Sequence, residues 1–287
     1  MTNPISDPLV RNVITEEVTE APVTLEVTPD GVATVTLNRP HRRNAFDAPT
    51  IIALTEIFET LQGAEGVRVV FLRGSGGSFS AGADLDWMRM AADWTESDNR
   101  DDAMALAQML KALDIIPVLT VALVEGSAFG GGAGLVAACD MAVATADTRF
   151  GFTEVRLGLT PATISPYVIR AIGPRTATGL FATGAVFDAA HAQAIGLVSQ
   201  VVADSAALDE IKASMAAEIM NCAPGAVADA KQLVRDVADR EIDRGLMDET
   251  ARRIARARVG DEGKEGVAAF LGKRKPYWAA PDQVAVD

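Results

Sequence analysis

The stretch that decides the fold is 126–134 (GSAFGGGAG), together with an earlier stretch of the same kind at 74–84 (GSGGSFSAGAD). Each follows a run rich in β-branched and apolar residues, VRVVFLR in one case and PVLTVALVE in the other, which predicts a buried strand. A helical pattern comes next, ADLDWMRMAA or GLVAACDMAV. The first N–H groups of a helix have no partner inside the helix, so they can point at an anion. Two such groups that converge on one carbonyl oxygen would form an oxyanion hole.

Three common glycine motifs do not match these turns. Neither turn has the third glycine of a dinucleotide fingerprint, and 126–132 contains no lysine for a phosphate-binding loop. A nucleophile elbow needs G-x-S-x-G, whereas the window around Ser80 starts with Ser78. For either turn alone, a structural interpretation stays open, in which glycine permits a tight turn and close packing.

The elements around these turns predict an α/β protein. VTLEVTPDGVATVTLNRP (23–40) has two alternating runs around Pro29-Asp30-Gly31, which predicts a β-hairpin. The next segment predicts a helix with Asp47 as N-cap and Gly63 at its end, and an amphipathic helix is expected around 101–113. A third unit starts at MAVATADTRFGF (141–152). Repeated β-β-α units with apolar strands predict a layered α/β core covered by helices.

The chain divides into three parts by its patterns. Residues 1–21 carry prolines and acids without periodicity, which predicts a disordered extension, and 22–202 form the core. Residues 203–287 show helical patterns only. Because a helical region of this size cannot bury every apolar stripe on itself, we expect it to pack on the core or to serve in oligomerisation.

Composition narrows the classes of partner. The 287 residues carry a net charge of −13, which argues against nucleic-acid and anionic-membrane surfaces. The basic residues between 252 and 275 form either a solvated helix face or a local anion site. The start of the chain does not have the layout of a signal peptide and no apolar stretch is long enough for a membrane span, so a cytoplasmic location is expected.

Metal and disulfide chemistry are not expected. The chain has two cysteines, Cys139 and Cys222, in apolar or small-residue surroundings, and no CxxC pattern. Its two histidines, His41 and His191, are not at ligand spacing. The sequence therefore predicts reduced thiols and no bound metal.

An ordered set of motifs resembles the enoyl-CoA hydratase/isomerase superfamily, whose members have the crotonase fold. The resemblance covers nearly everything from Val23 to Trp278, and its motifs are LNRPHRRNAF (37–46), SFSAGADLDWM (78–88), EGSAFGGGAGLVAACD (125–140), RFGFTEVRLGLTP (149–161), IGPRTATGLFATGAVFDAAHAQAIGLVSQVV (172–202) and GVAAFLGKRKPYW (266–278). The resemblance implies a spiral of β-β-α units with a helical C-terminal region, and a homotrimer or a dimer of trimers. SAGADLDWM and EVRLGLTPATISPYVIRAIG also resemble a branch that contains methylglutaconyl-CoA hydratase-like enzymes.

The resemblance also implies roles for single residues. The N–H groups of Ala83 and Gly131 match the pair that holds the thioester oxygen of an acyl-CoA, and Glu154 matches a catalytic acid/base. Such donors stabilise the enolate that forms when a base or nucleophile acts on a position conjugated with the thioester. Further positions match the family's binding site for coenzyme A, and they are Asn44, Ala45, Ala81, Asp84, Phe270 and Lys273. Because coenzyme A is carried as part of the substrate, no separate cofactor is expected.

One position departs from the pattern of the family's two-carboxylate hydratases. Those enzymes carry a second glutamate just after the GGG turn, where this chain has Gly134. Hydration of a 2-enoyl-CoA remains the leading hypothesis. A double-bond isomerase that uses Glu154 alone and a non-catalytic acyl-CoA binder remain alternatives. The acyl group also stays open, since a glutaconyl-type substrate would need a cation such as Arg89 or Arg156 for its distal carboxylate.

Overall fold

Two β-sheets organise the fold, and the computed structural model describes residues 21–279. The larger sheet has the strand order β1-β2-β3-β4-β6-β9, in which β1 is antiparallel to β2 and the other neighbours are parallel. The smaller sheet has the order β5-β7-β8. The strands are β1 (Val23–Val27), β2 (Val32–Leu37), β3 (Val69–Gly74), β4 (Leu119–Val124), β5 (Ser127–Phe129), β6 (Met141–Thr145), β7 (Arg149–Gly151), β8 (Val186–Asp188) and β9 (Gln200–Val202).

Ten α-helices accompany the strands. They are α1 (Ala48–Gly63), α2 (Leu85–Ala92), α3 (Glu96–Asp114), α4 (Gly131–Ala138), α5 (Ser165–Thr183), α6 (Ala189–Ala194), α7 (Ser205–Ile219), α8 (Pro224–Val237), α9 (Arg244–Val259) and α10 (Asp261–Leu271) within the described residues. Short 3₁₀ turns cover Pro40–Arg42 and Glu154–Leu157. The predicted hairpin and first helix are confirmed: Thr28 O accepts from Gly31 N, and the Asp47 side chain caps α1 by accepting from Thr50 N.

The β-β-α repeat is confirmed by the way the two sheets alternate along the chain. The chain passes from β4 in the large sheet to β5 in the small sheet and then into α4, and likewise from β6 to β7 and on to α5. Isolated bridges extend the small sheet toward the earlier turn, since Ser80 pairs with Ala128 and Phe46 pairs with Ala83. The turns after the parallel strands therefore meet at the carboxyl edge of the large sheet.

The expected helix after the second glycine turn is shorter than its sequence pattern. GLVAACDMAV was predicted to be helical throughout, but α4 ends at Ala138 and Met141 starts β6. Asp140 marks the change, because its N–H donates to Thr120 O and its carboxylate accepts from the N–H and hydroxyl of Thr120. These bonds attach the chain to the start of β4 and end the helix.

The core lies between the sheet and its helices, on both faces. One face packs against α1, α3, α4 and α5, with Phe46, Phe58 and Phe79 buried there. The other face is covered by α7, where Leu208 and the residue just after the helix, Met220, pack against Phe71 and its neighbours. After β9 the described chain is helical, and α9 and α10 pack mainly on each other.

Three further expectations concern the N-terminal extension, membrane spans and metal binding. The predicted disordered extension covers residues 1–21, and residues 1–20 lie outside the described residues. Ala21 is described, and its carbonyl accepts from the Asn38 side chain. Between residues 21 and 279 no helix is long and apolar enough to cross a membrane. The same part of the chain contains no group of three or more His, Cys, Asp or Glu side chains that could hold a metal ion.

Candidate active site

The two glycine turns lie against each other at the carboxyl edge of the large sheet. Ser80 N donates to Ser127 O (2.9 Å), and Phe129 N donates to Ser80 O (3.0 Å). A Cβ built on Gly82 would lie 3.0 Å from Phe129 O and 3.9 Å from Gly130 Cα. The residues that precede Ala83 and Gly131 are therefore in contact, which is the juxtaposition that a shared oxyanion hole requires.

Both N–H groups predicted for that oxyanion hole are available. Ala83 is held by its neighbours, because Phe46 N donates to Gly82 O and Asp84 N donates to Phe46 O, each at 2.7 Å. Gly131 is the first residue of α4. Within residues 21–279 neither the Ala83 N–H nor the Gly131 N–H donates a hydrogen bond. A Cβ on Gly131 would meet the Phe46 ring at 2.9 Å, so glycine is required for this close approach.

Glu154 places a carboxyl group beside the same turn. Its Oε1 lies 3.1 Å from the Cβ position of Gly130, a residue whose φ of 48° favours glycine. Its Oε2 is buried and has no hydrogen-bond partner among the residues that the structure describes. Burial raises the pKa of this carboxyl group above its ordinary value. A carboxyl with a raised pKa next to two available N–H groups can exchange a proton with a substrate whose carbonyl oxygen those groups hold.

The position of the missing second glutamate is physically filled. A Cβ built on Gly134 would lie 2.3 Å from Cγ2 of Ile164 and 2.9 Å from its Cβ. Both residues are buried. No side chain fits at position 134 unless Ile164 moves, so the departure from the two-carboxylate pattern is built into the packing.

Asn44 fixes the loops around the site through its side chain. Its Oδ1 accepts from Arg39 N (2.8 Å), and its Nδ2 donates to Ser75 O (2.9 Å) and Ser78 O (2.7 Å). Asn44 is 1% exposed and has a φ of 54°. Since both Nδ2 donors are bound within the protein, the side chain organises the turn at 74–84, and this role was not foreseen from the sequence.

Arg39, which sequence reasoning missed, joins three parts of the site. Its guanidinium lies 2.8 Å from the Asp47 carboxylate and 3.0 Å from the Asp84 carboxylate, and it donates to Ala45 O. Asp84 also caps α2 by accepting from Asp86 N. Burial alone would raise the pKa of Asp84, but this N–H, Arg39 and Arg42 outweigh it and hold the pKa below its ordinary value. Asp84 is thus an ionised structural anchor for the loop that carries Ala83.

The other predicted positions fall into two places. Ala45 is buried next to Asn44, and Ala81 N donates to Arg43 O, so both belong to the loops around the site. Phe270 and Lys273 lie elsewhere, at the end of α10 and just beyond it. Trp278 packs on Gly266 of α10, and its carbonyl accepts from Arg68, which precedes β3. These contacts place the C-terminal segment at the amino edge of the large sheet, so one chain does not bring Phe270 and Lys273 to Glu154.

A cavity of about 920 Å³ lies away from this site, between α8 and the core. Two ionic clusters line it. Asp114 is nearly buried and contacts Lys111, Arg170 and Arg235, and Lys231 lies 2.6 Å from Asp140. None of Ala83, Gly131 and Glu154 lines this cavity. Its charged groups pair with each other and attach α8 to the core.

The spiral of β-β-α units and the two available N–H groups beside a partly buried carboxyl define a protein of the crotonase class. Comparison with known sequences agrees with this class. The family model described as enoyl-CoA hydratase/isomerase matches residues 27–281. The chain therefore belongs to the enoyl-CoA hydratase/isomerase family.

Individual relatives match over most of their length. A crystal structure from Legionella pneumophila, named for the enoyl-CoA hydratase/isomerase (crotonase) class, is 44% identical with a TM-score of 0.87, covering 91% of this chain and 100% of that one. The structure of an enoyl-CoA hydratase from Shewanella pealeana is 37% identical with a TM-score of 0.86, covering 90% and 96%. The enoyl-CoA hydratase ACTT6 of Alternaria alternata is 32% identical over 251 residues, 86% of this chain and 81% of that protein.

Proposed function

We propose that this protein hydrates the 2,3 double bond of a 2-enoyl-CoA thioester. The observation that carries the proposal is the Glu154 carboxyl, which has one buried oxygen without a partner, beside two loops whose Ala83 and Gly131 N–H groups are available. Relatives named enoyl-CoA hydratase support hydration over simple binding of acyl-CoA. Coenzyme A arrives as part of the substrate, and the chemistry requires no further cofactor.

The proposed mechanism uses the site's electrostatics. The Ala83 and Gly131 N–H groups bind the thioester oxygen and stabilise the negative charge that develops on it when water adds at C3. Loss of one such donor typically lowers the rate by about 100-fold to 1000-fold. The Glu154 carboxyl group exchanges a proton with C2 of the substrate. Asn44, Arg39 and Asp84 serve by fixing the loops, and Ala45 and Ala81 supply backbone surface for the coenzyme A moiety.

The test is the loss of the 2-enoyl thioester absorbance when enzyme is added to crotonyl-CoA. Glu154→Gln is expected to lower kcat by about 100-fold or more, because it keeps the shape but cannot exchange a proton. Glu59→Gln, an exposed change of the same kind on α1, is the matched control and is expected to leave the rate unchanged. Near-normal turnover by Glu154→Gln would refute the assignment.

A second candidate is a 3-enoyl-CoA to 2-enoyl-CoA isomerase, and the packing of Ile164 on Gly134 favours it because a lone glutamate suffices to shuttle one proton. This activity predicts product from a 3-enoyl-CoA without uptake of solvent oxygen. Incubation in ¹⁸O-labelled water separates the candidates, because hydration places the label in the product.

Two arginines near the site are the candidate cations for a distal carboxylate of the acyl group. Arg89, one candidate cation for a distal carboxylate, is exposed and lies 2.6 Å from Asp86. Arg156 is exposed and lies against Gly184. A panel of crotonyl-CoA, longer straight-chain enoyl-CoAs and 3-methylglutaconyl-CoA tests the proposed place in the methylglutaconyl-CoA hydratase-like branch.

We further propose a homotrimer or a dimer of trimers, in which Phe270 and Lys273 reach the coenzyme A of a neighbouring subunit. Phe270 is 83% exposed and Leu271 is 74% exposed, and the α9–α10 pair has few contacts with its own core. A cytoplasmic location is proposed on the two thiols, Cys139 and Cys222, which form no disulfide within the described residues. Light scattering at several concentrations tests the oligomeric state.

A further inference from the structure

Asp102 occupies a position where a carboxyl group is unexpected. It lies on the inner face of α3, because it is at helical spacing from residues that face the core. These residues are Ala105, Leu106, Met109, Leu110 and Leu113. Its neighbour Asp101 is exposed, whereas Asp102 is half-buried. An acid on the apolar stripe of a helix costs free energy unless a cation or a function compensates for its burial.

The surroundings of Asp102 provide no compensating cation. Within residues 21–279 no lysine or arginine forms an ion pair with Asp102. Burial raises the pKa of its carboxyl group, and the indole N–H of Trp87 is the one group that opposes the rise. Nε1 of Trp87 is itself buried and makes no hydrogen bond of good geometry with any described residue. A buried indole N–H without a hydrogen bond and a half-buried carboxyl group thus lie close together.

The topology places this pair at the same edge of the large sheet as the proposed oxyanion hole. Trp87 lies in the first turn of α2, four residues after Ala83. The C-terminal end of α3 is at the amino edge of the sheet. Asp114, the last residue of α3, lines the same cavity as Leu119, the first residue of β4, and Asp140. Asp102 is twelve residues earlier on α3, which is about 18 Å along the helix axis. Strand β4 spans about 20 Å, so Asp102 lies level with the carboxyl edge, where Gly131 starts α4.

We propose that Asp102 is the second proton-handling carboxyl group of the active site and activates water for addition at C3, in place of a carboxyl at position 134. The inference rests on the proposed hydration. Glu154 lies next to Gly130, and so close to the thioester oxygen and C2. Asp102 approaches from the side of α2 and α3, and it serves the next carbon of the acyl chain.

The proton balance assigns one step to each group. The water oxygen forms a bond to C3, the π pair of C2=C3 moves toward the thioester oxygen, and the water proton passes to the Asp102 carboxylate. C2 takes a proton from the Glu154 carboxyl, and the thioester carbonyl re-forms. Exchange with solvent then returns Asp102 to its ionised form and Glu154 to its protonated form. The Trp87 N–H holds the Asp102 carboxylate during the reaction.

Two reactions of the full-length protein separate these roles. The first is hydration of crotonyl-CoA. The second is exchange of the C2 hydrogens of butyryl-CoA with deuterium from D₂O, which requires the oxyanion hole and Glu154 but no activated water. Asp102→Asn is compared with Asp101→Asn, which removes the same charge one residue away on the exposed face of α3. Thermal unfolding of both variants is measured alongside.

Asp102→Asn is expected to lower kcat for hydration by about 100-fold or more while C2 exchange stays within about threefold of wild type. Asp101→Asn is expected to change neither. Hydration that survives in Asp102→Asn overturns the proposal, and so does an equal loss of both reactions or a lower unfolding temperature than that of Asp101→Asn. A wild-type protein that cannot hydrate crotonyl-CoA or longer enoyl-CoAs would instead refute the proposed function.

Discussion

Gly134 and Ile164 show how one contact sets the chemistry of the site at the scale of single residues. Gly134→Ala brings a methyl group within 2.3 Å of the Ile164 side chain in a buried place. We expect it to lower the free energy of unfolding by roughly 1–3 kcal/mol, as overpacking does. Urea denaturation measures the change.

The control for this substitution is Gly179→Ala in α5. Gly179 is exposed, and its Cβ position has no atom within 4 Å. Alanine there is expected to stabilise the protein by roughly 0.5–1 kcal/mol, because glycine is a poor helix residue. The explanation for Gly134 fails if the two variants change stability in the same direction, or if adding Ile164→Ala does not relieve the loss.

Glu154 links stability to pH. Since its folded-state pKa is raised by burial, the protonated form stabilises the native state below the unfolded pKa, and this contribution is lost as pH rises through the folded pKa. Glu154→Gln is therefore expected to be more stable than wild type at pH 8, on the order of 1 kcal/mol, and not at pH 4. Thermal unfolding at both pH values tests this, and an equal gain at pH 4 would contradict the linkage.

Single residues were predictable from sequence where their interactions are local. The cap of α1 by Asp47 follows from residues three positions apart, and it is confirmed. The contact of Gly134 with Ile164 spans thirty residues and depends on how α4 meets the start of α5. Asp102 carried a local signal that was missed, namely its spacing of three and four from Ala105 and Leu106.

At the scale of elements, α8 depends on ionic contacts for its position. It has no buried residue, and Lys231 joins it to the core through Asp140 (2.6 Å) and Val118 O (3.0 Å). Lys231→Met is expected to destabilise the protein by about 2–3 kcal/mol, because it leaves the Asp140 carboxylate without its cation. Hydrogen exchange of the amides in 224–237 should become faster.

Lys264→Met is the matched control for this prediction. Lys264 is exposed on α10, so its replacement is expected to change stability by less than about 0.5 kcal/mol. Slow exchange in α8 of Lys231→Met would show that apolar contacts, rather than the ionic cluster, hold the helix.

Long periodic elements were predicted well and short strands were not. The helical patterns predicted after residue 202 correspond to α7, α8, α9 and α10. Strands β5, β7 and β8 have three residues each, too few to show an alternating pattern, and their hydrogen bonds come from distant parts of the chain. The end of α4 was missed because GLVAACDMAV is apolar except for Asp140, and the contact of Asp140 with Thr120 is not visible in the sequence.

At the scale of the whole molecule, the exposed apolar end of α10 bears on assembly. Phe270→Asp is expected to lower the oligomeric mass and to raise KM for crotonyl-CoA, because a charge in an apolar subunit interface is costly. Sedimentation velocity and steady-state kinetics measure both effects.

Ile52→Asp provides the comparison, since Ile52 is 56% exposed on α1, in the core region. It is expected to leave mass and KM unchanged. An unchanged mass for Phe270→Asp would place the subunit interface elsewhere.

The Ile164 side chain over Gly134 also governs which sequences can be reached from this one. A glutamate at 134 is blocked while Ile164 is present, so a two-glutamate descendant requires the substitution at 164 to come first or together with the other. Such order dependence is epistasis with a steric cause. A directed-evolution library that varies position 134 alone would miss that catalytic arrangement, whereas a combinatorial library over both positions would contain it.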